Sequence, residues 1–269
     1  ETDPTGSGFA QPVSYSFYLG ISGACNVNRG IFQELRDNAL TDPGTRLGMD
    51  YFTSGDTLKV VLGFEEGGTD RENQYSLTNY CSTYVNDDGG LPNMTHFVIT
   101  YDGGVVGNSV QLFINGVSSS WSSIFYNGTG GGGTPHRPDG DFIIGSQHKT
   151  SNNTLGGQSN VSSSIDEFVI LNKVATAAEV LDLYNNGRKM DSDTFASLDY
   201  TSSVKSYFSF DNITEEIITD NQIIQDVKGF QNFTASVQNV GAGAAGLMNA
   251  NTKVVATPAS ASFTVSGSS

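Results

Sequence analysis

Positive charge is what this chain has least of. Its 269 residues carry 13 Lys and Arg against 28 Asp and Glu, a formal charge of −15. So few cations cannot build the phosphate-neutralising patch or basic groove that nucleic acid or an anionic membrane requires, and both are excluded as partners. The acidic surface implies solubility and tolerance of cations. Long hydrophobic runs are missing as well. No apolar stretch reaches membrane-spanning length and no signal-peptide pattern is present, so membrane insertion is not expected. The chain begins at Glu1 rather than Met, which suggests a processed or trimmed product. Cysteine is reduced to Cys25 and Cys81. That even, minimal count reads as one disulfide in an oxidising compartment, stabilising by about 4 kcal/mol. The alternative is two buried reduced thiols.

What the chain has in quantity is Gly, Ser, Thr and Asn, together with 10% aromatics. That mixture suits many short strands joined by tight turns around a real core. Six Asn-x-Ser/Thr sequons begin at Asn93, Asn127, Asn152, Asn160, Asn212 and Asn232. A composition this rich in the three residues yields about four or five by chance, so they say little about glycosylation.

After a leader over residues 1–12, "VSYSFYLGIS" alternates Tyr15, Phe17, Leu19 and Ile21 against small or polar residues, as a half-buried strand does. "TRLGMDYF" and "TLKVVLGF" flank a turn at Ser54-Gly55-Asp56, with Leu58, Val60, Leu62 and Phe64 on one face. "HFVITYDGG" is a further strand, and "VQLFINGVSSSW" reads as a hairpin with Asn115-Gly116 in a type I′ turn. Gly130 to Gly133 read as a mobile loop unless contacts hold them. "DFIIGS" and "SIDEFVILN" are strands, and then the period changes. "VATAAEVLDLYNNGR" has Thr176 and Glu179 as a capping box, Val180, Leu183 and Tyr184 on one face, and Gly187 at its end. This predicts one helix of three turns at most, packed over an edge of the sheets. Strand-like spacing resumes through "VKSYFSF", "QNFTASV", "TKVVATP" and "ASFTVSG", with no linker. One all-β domain over 1–269 is expected, with the main sandwich and helix in 13–197 and further strands in 198–269.

The order "HFVITYDGG…VQLFINGV…DFIIGS…SSIDEFVILNKVATAAEVLDLYNNG" resembles the laminin-G-like branch of the concanavalin A-like lectin/glucanase superfamily, well over 95–187 and loosely over 13–64. The resemblance implies a two-sheet antiparallel jelly-roll sandwich with one short helix. Modules of that kind open with an aromatic-x-Phe-Asp strand, and here its counterpart, "SYFSFDN", follows the helix. The strand order therefore reads as circularly permuted. Residues 198–269 would close either this chain's own sandwich or a neighbouring subunit's, as a head-to-tail oligomer or filament.

Because the superfamily includes enzymes, catalysis needs a test. Glucanases with this fold carry Glu-x-Asp-x-x-Glu or Glu-x-Asp-x-Glu on one strand, which sets two carboxyls on one face about 5 Å apart. That spacing is absent: Glu65-Glu66, Asp166-Glu167 and Glu215-Glu216 are adjacent pairs, expected to point to opposite faces. A glycoside hydrolase is the remote alternative, and no catalytic residue is assigned. His96, His136 and His148 are too scattered for a helical metal site, and His96 in its strand reads as structural or exposed. The resemblance makes calcium the one cofactor to consider. Carboxylates are replaced at the corresponding loop by Ser146, Gln147 and His148, and later by Gln158 and Ser159. Asp139, Asp141, Gln158 and Asp166 remain as calcium candidates, Asp166 reading rather as a turn-organising acceptor; no metal site is assigned. For a glycan, Trp121, Phe125, Tyr126 and Asn127, with Gln147 and His148, form the candidate platform, although Trp121 reads equally as a core residue.

Two readings of function follow. The first is a non-enzymatic structural or adhesive protein of a virion, filament or cell surface, assembling with itself. The second is a lectin-like module that binds a glycan or a surface protein. Both place the chain outside the cell or on a virion.

Overall fold

The computed structural model describes residues 12–21, 29–35, 45–52, 56–80, 94–104, 109–120, 123–126, 133–135, 142–144, 163–187, 190, 194–195, 198–199, 202–209, 223–224 and 233–234. In chain order the first strands are β1 (Val13–Ile21), β2 (Arg29–Leu35), β3 (Thr45–Phe52), β4 (Thr57–Glu66) and β5 (Thr69–Thr78). Next come β6 (Thr95–Tyr101), β7 (Val110–Ile114), β8 (Val117–Ser119), β9 (Ser123–Tyr126), β10 (Thr134–Pro135), β11 (Phe142–Ile144) and β12 (Ser163–Leu171). Helix α1 (Ala177–Tyr184) precedes β13 (Val204–Phe208), β14 (Ile223–Ile224) and β15 (Phe233–Thr234).

The strands form a six-stranded sheet in the order β13-β12-β1-β6-β7-β8 and a seven-stranded sheet in the order β11-β2-β3-β4-β5-β9, with β10 paired to β4. A two-stranded ribbon, β14-β15, stands apart from both. Alternation along each strand decides the layers. Tyr15, Phe17 and Leu19 of β1 and Phe97, Ile99 and Tyr101 of β6 meet Phe32, Leu47, Met49, Leu58, Val60, Leu62 and Tyr75 of the facing sheet in one core. Phe17 is fully buried there, its ring 5.2 Å from that of Phe168 and 5.6 Å from that of Phe32. The fold is thus an all-β, two-sheet antiparallel sandwich, with one short helix among the fully described elements.

The expected hairpins are present. Phe52 pairs with Thr57 across the turn after β3, and Ile114 pairs with Val117 around Asn115 (φ 50°) and Gly116 (φ 79°). β13, the strand within "VKSYFSFDN", lies beside β12 in this chain's own sheet, with Phe208 opposite Phe168. Two strands had no clear sequence signal, β2 and β5. β5 is mostly polar, with Tyr75 and Leu77 its only apolar residues facing the core, yet it pairs with β4 from Thr57–Thr78 to Glu66–Thr69 around the two-residue turn Gly67-Gly68.

The helix carries the expected capping box: the Thr176 side chain accepts from the Glu179 N–H, and Glu179 accepts from the Thr176 N–H at 2.9 Å. It ends earlier than predicted, at Asn185, which takes the left-handed conformation itself (φ 44°), with Asn186 (φ 53°) and Gly187 (φ 75°) continuing at positive φ. Its location also differs from an edge. Val180 and Leu183 pack on the outer face of the six-stranded sheet with Tyr18, Val98, Phe113, Val169 and Tyr207, a second apolar cluster separate from the core.

Candidate functional site

The two sheets differ in what covers their outer faces, and that difference locates the site. On the six-stranded sheet the helix closes the face, and most polar groups described beneath it bond within the chain. The Ser14 hydroxyl donates to the Lys173 carbonyl at 2.7 Å and accepts from the Ala175 N–H at 2.9 Å. The Tyr18 hydroxyl donates to the Tyr184 carbonyl, and the Tyr207 hydroxyl to Glu167. Ser16 Oγ and His96 Nε2 are 2.9 Å apart, the separation of a nucleophile and its base. Both residues are fully buried, however, and among the described residues His96 Nδ1 has no hydrogen-bond partner to orient the ring. Burial holds the imidazole neutral, down to a pKa of about 3. This pair is structural. The sequence left His96 as structural or exposed, and the structure makes it a core residue of this face.

One sequence expectation is corrected here. Asp166 and Glu167 do not point to opposite faces. Ser16 pairs with Val169 while Tyr18 pairs with Asp166, so β12 carries a bulge, with Glu167 at φ 52°. The extra residue keeps both carboxylates on the outer side, where both act on Tyr18; burial first, then these charges, raises the Tyr18 pKa. They are almost fully enclosed, and Asp166 accepts from the Glu167 N–H at 2.9 Å. A calcium candidate by sequence, Asp166 is a hydrogen-bond acceptor within the bulge.

The outer face of the seven-stranded sheet is different in kind. The residues of β4 that do not enter the core, Lys59, Val61 and Gly63, form cross-strand rows with their neighbours. Asp50, Lys59 and Ser76 make one row. Gln33, Gly48, Val61 and Gln74 make the next, and Gly63 with Glu72 a third. Lys59 Nζ donates to Gln74 Oε1 at 3.3 Å, and Gln74 Nε2 donates to Glu72 Oε2 at 3.2 Å. Lys59, Glu72 and Gln74 are half-buried, while Gln33, Asp50 and Ser76 are buried. Burial, reinforced by the Glu72 charge and opposed by Lys59, pushes the Asp50 carboxyl up to about 7. A protonatable carboxyl, an ammonium, two amides and a hydroxyl thus share one face. None of these residues was singled out from the sequence. The available signal was the period of two along β3 and β4, which puts Asp50 and Lys59 opposite the core positions.

Of the sequence candidates, Phe125 and Tyr126 fall in β9, with backbones in register with Gln74 and Asn73; their side chains lie outside the described residues. Phe125 therefore stands at the end of the Gln74 row. Trp121, Asn127, Gln147, His148, Asp139, Asp141, Gln158, Cys25, Cys81 and the sequon residues Asn93, Asn152, Asn160, Asn212 and Asn232 lie outside the described residues. Among the described residues no cluster of three His, Cys, Asp or Glu is arranged to hold a metal ion. Nor is any helix there long and apolar enough to cross a membrane.

No known family matches the sequence, and no curated protein matches it. Solved structures do match. One is a proposed carbohydrate-binding protein from Bacteroides ovatus, with a TM-score of 0.47 and 15% identity over 86% of this chain and 53% of that one. A heptameric SAP-like pentraxin from Limulus polyphemus gives 0.39 and 14% over 65% of this chain and 70% of that one. A Trypanosoma rangeli sialidase gives 0.37 and 13% over 65% of this chain and 23% of that one. The chain spans about half the length of the first of these and under a quarter of the last. At such identities and scores the likeness is one of general fold and does not extend to ligand or activity.

Proposed function

We propose that the chain is a non-enzymatic recognition module of the surface or adhesive type, taking a hydroxyl-rich ligand such as a glycan on the outer face of its seven-stranded sheet. The observation that carries this reading is the contrast between the faces. One is sealed by a helix over an apolar cluster, and the other presents Lys59, Gln74 and Glu72 as a half-exposed hydrogen-bonding ladder with Asp50 behind it. Amides and charged groups that alternately donate and accept match the hydroxyls of a sugar ring, and Phe125 stands at the strand position beside them. An extracellular or surface setting accords with this use. A single sandwich closed within one chain is supported by the pairing of β13 with β12; exchange of the strands after residue 198 between subunits is the alternative.

A second reading has one observation behind it. A carboxyl with a pKa near 7 beside a second carboxylate is the asymmetry that glycoside hydrolases use. Asp50 is buried at 6% exposure, out of reach of a glycosidic oxygen, and this favours binding over cleavage.

The test is a glycan array probed with the full chain and with the Lys59→Ala/Gln74→Ala double variant, beside an assay for reducing ends released from every glycan that binds. Binding that weakens at least tenfold in the variant, without release, supports the proposal. Release of sugar that stops in Asp50→Asn would replace it with the hydrolase. A silent array would remove the recognition reading and leave assembly, which light scattering over a wide concentration range would reveal as a ladder of oligomers.

A further inference from the structure

We propose that helix α1, with the left-handed turn that ends it, is an acid-released latch over the outer face of the six-stranded sheet, and that His96 beneath it is the group that opens it.

The imidazole sits in a closed compartment whose outer wall is the end of the helix. Its ring centroid is 4.7 Å from that of Tyr18 on β1 and 5.7 Å from that of Tyr184, the last residue of α1. The Tyr18 hydroxyl reaches past it to the Tyr184 carbonyl and ties the helix end to the sheet. The other side of the helix end rests on the β7–β8 turn: a Cβ at Gly116 would meet Tyr184 Cδ1 at 3.0 Å and Leu181 Cδ1 at 3.1 Å. That turn is held to β6 by the His96 backbone, whose N–H donates to Asn115 Oδ1 and whose carbonyl accepts from the Asn115 N–H.

Inside this compartment the ring is hydrogen-bonded at one nitrogen only. Nε2 has Ser16 Oγ, while Nδ1 is buried without a partner among the described residues. An imidazolium carries two N–H donors, so taking up a proton from solvent creates a buried charge with one donor unsatisfied. No acid among the described residues acts on the ring strongly enough to offset its burial. On β12, Asp166 accepts from the Glu167 N–H and Glu167 from the Tyr207 hydroxyl. On α1, Glu179 is held by Lys173 and by its own cap, and Asp182 is half-buried and already engaged. β1 offers Ser16 and Tyr18, and the β7–β8 turn offers Asn115. Burial is accordingly the cause that displaces the titration of His96.

Water can reach Nδ1 by one of two routes. Opening the sandwich would expose the inter-sheet core. Lifting an eight-residue helix exposes only the second apolar cluster, and a helix that short holds its place through its docking rather than by itself. The cheaper route is the helix. Acid therefore uncovers Tyr18, Val98 and Phe113 while the two sheets stay packed.

The experiment is hydrogen–deuterium exchange by mass spectrometry on the full chain at pH 7 and pH 4.5, corrected for the intrinsic pH dependence of amide exchange. Residues 177–187 are followed against β4. A group moved from 6.5 to about 3 predicts roughly a 100-fold rise in helix opening between these pH values. β4 should remain protected. His96→Gln, which keeps a polar group at Ser16, should remove the pH dependence, as should His96→Phe, which keeps an aromatic ring between the two tyrosines. The latch is overturned if residues 177–187 exchange alike at both pH values, if helix and β4 open together, or if the variant that folds opens in acid as the wild type does.

Discussion

At the scale of the residue, the informative side chains are those whose burial and charge disagree. Asp50 lies in a row with Lys59 and Ser76, yet its carboxyl titrates near 7 because burial, and then Glu72, disfavour the anion. Between pH 4 and 7 the folded chain keeps a proton on Asp50 that the unfolded chain has released. Its contribution to stability is therefore present in full below about pH 4 and is lost as pH rises through 7. Asn mimics the protonated side chain. Asp50→Asn should match the wild type at pH 4 and exceed it at pH 8 by up to about 4 kcal/mol in urea denaturation. Equal stabilities at pH 8 would mean that Asp50 is ionised and well compensated in the fold. Gly133 shows the same dependence on surroundings. Read in sequence as part of a mobile glycine run, it packs so closely that a Cβ would lie 2.2 Å from the Phe64 ring. A neighbour across β4 sets that requirement, and nothing local announces it.

At the scale of the element, the strongly patterned segments formed as their sequences require. β1, β3, β4, β6 and β7 each place an apolar side chain at every second position on the core face, and the Asn115-Gly116 hairpin has both residues at positive φ. The capping box is a local device and could be read from Thr176 and Glu179 alone. Within it, burial disfavours the Glu179 anion, but hydrogen bonds from Lys173 and Thr176 outweigh burial and lower its pKa. Thr176→Ala should cost about 1 kcal/mol and increase exchange at 177–180 before it affects any strand. An unchanged exchange rate there would show that docking against the sheet, rather than the cap, holds the helix start. β5 and the β12 bulge were not legible for a related reason. β5 is a strand because β4 and β9 pair with it on either side, despite its polar sequence. The bulge inserts one residue out of period, so Asp166 and Glu167 lie on a face that alternation denies them.

At the scale of the whole molecule, the displaced titrations of His96 and Asp50 oppose each other. His96 is held neutral down to about pH 3, so the unfolded chain binds one more proton below 6.5 and stability falls as pH drops. Asp50 works in the other direction over nearly the same range. Each changes stability by about 1.4 kcal/mol per pH unit, and between pH 4 and 6.5 they nearly cancel. Global stability of the wild type should vary less with pH in that window than that of either single variant. His96→Phe should become more stable as pH falls, and Asp50→Asn less stable. Parallel pH profiles for the three proteins would show that neither group titrates as its burial implies. The helix senses His96 alone, since Asp50 is on the other sheet, so local opening keeps a pH response even where global stability does not.

Composition and alternation by themselves determined the fold class, the strands around the core and the one capped helix. Each of those depends on which residues a short segment must bury and on how its own backbone is satisfied. Only the tertiary structure decided which outer face is sealed and which is polar, and that Val204–Phe208 lies in register beside β12. It also decided that Asp50, Lys59, Gln74 and Glu72 form one surface. These residues come from three strands, and their grouping is fixed by inter-strand register. Register is a property of paired strands, and no single segment of sequence contains it.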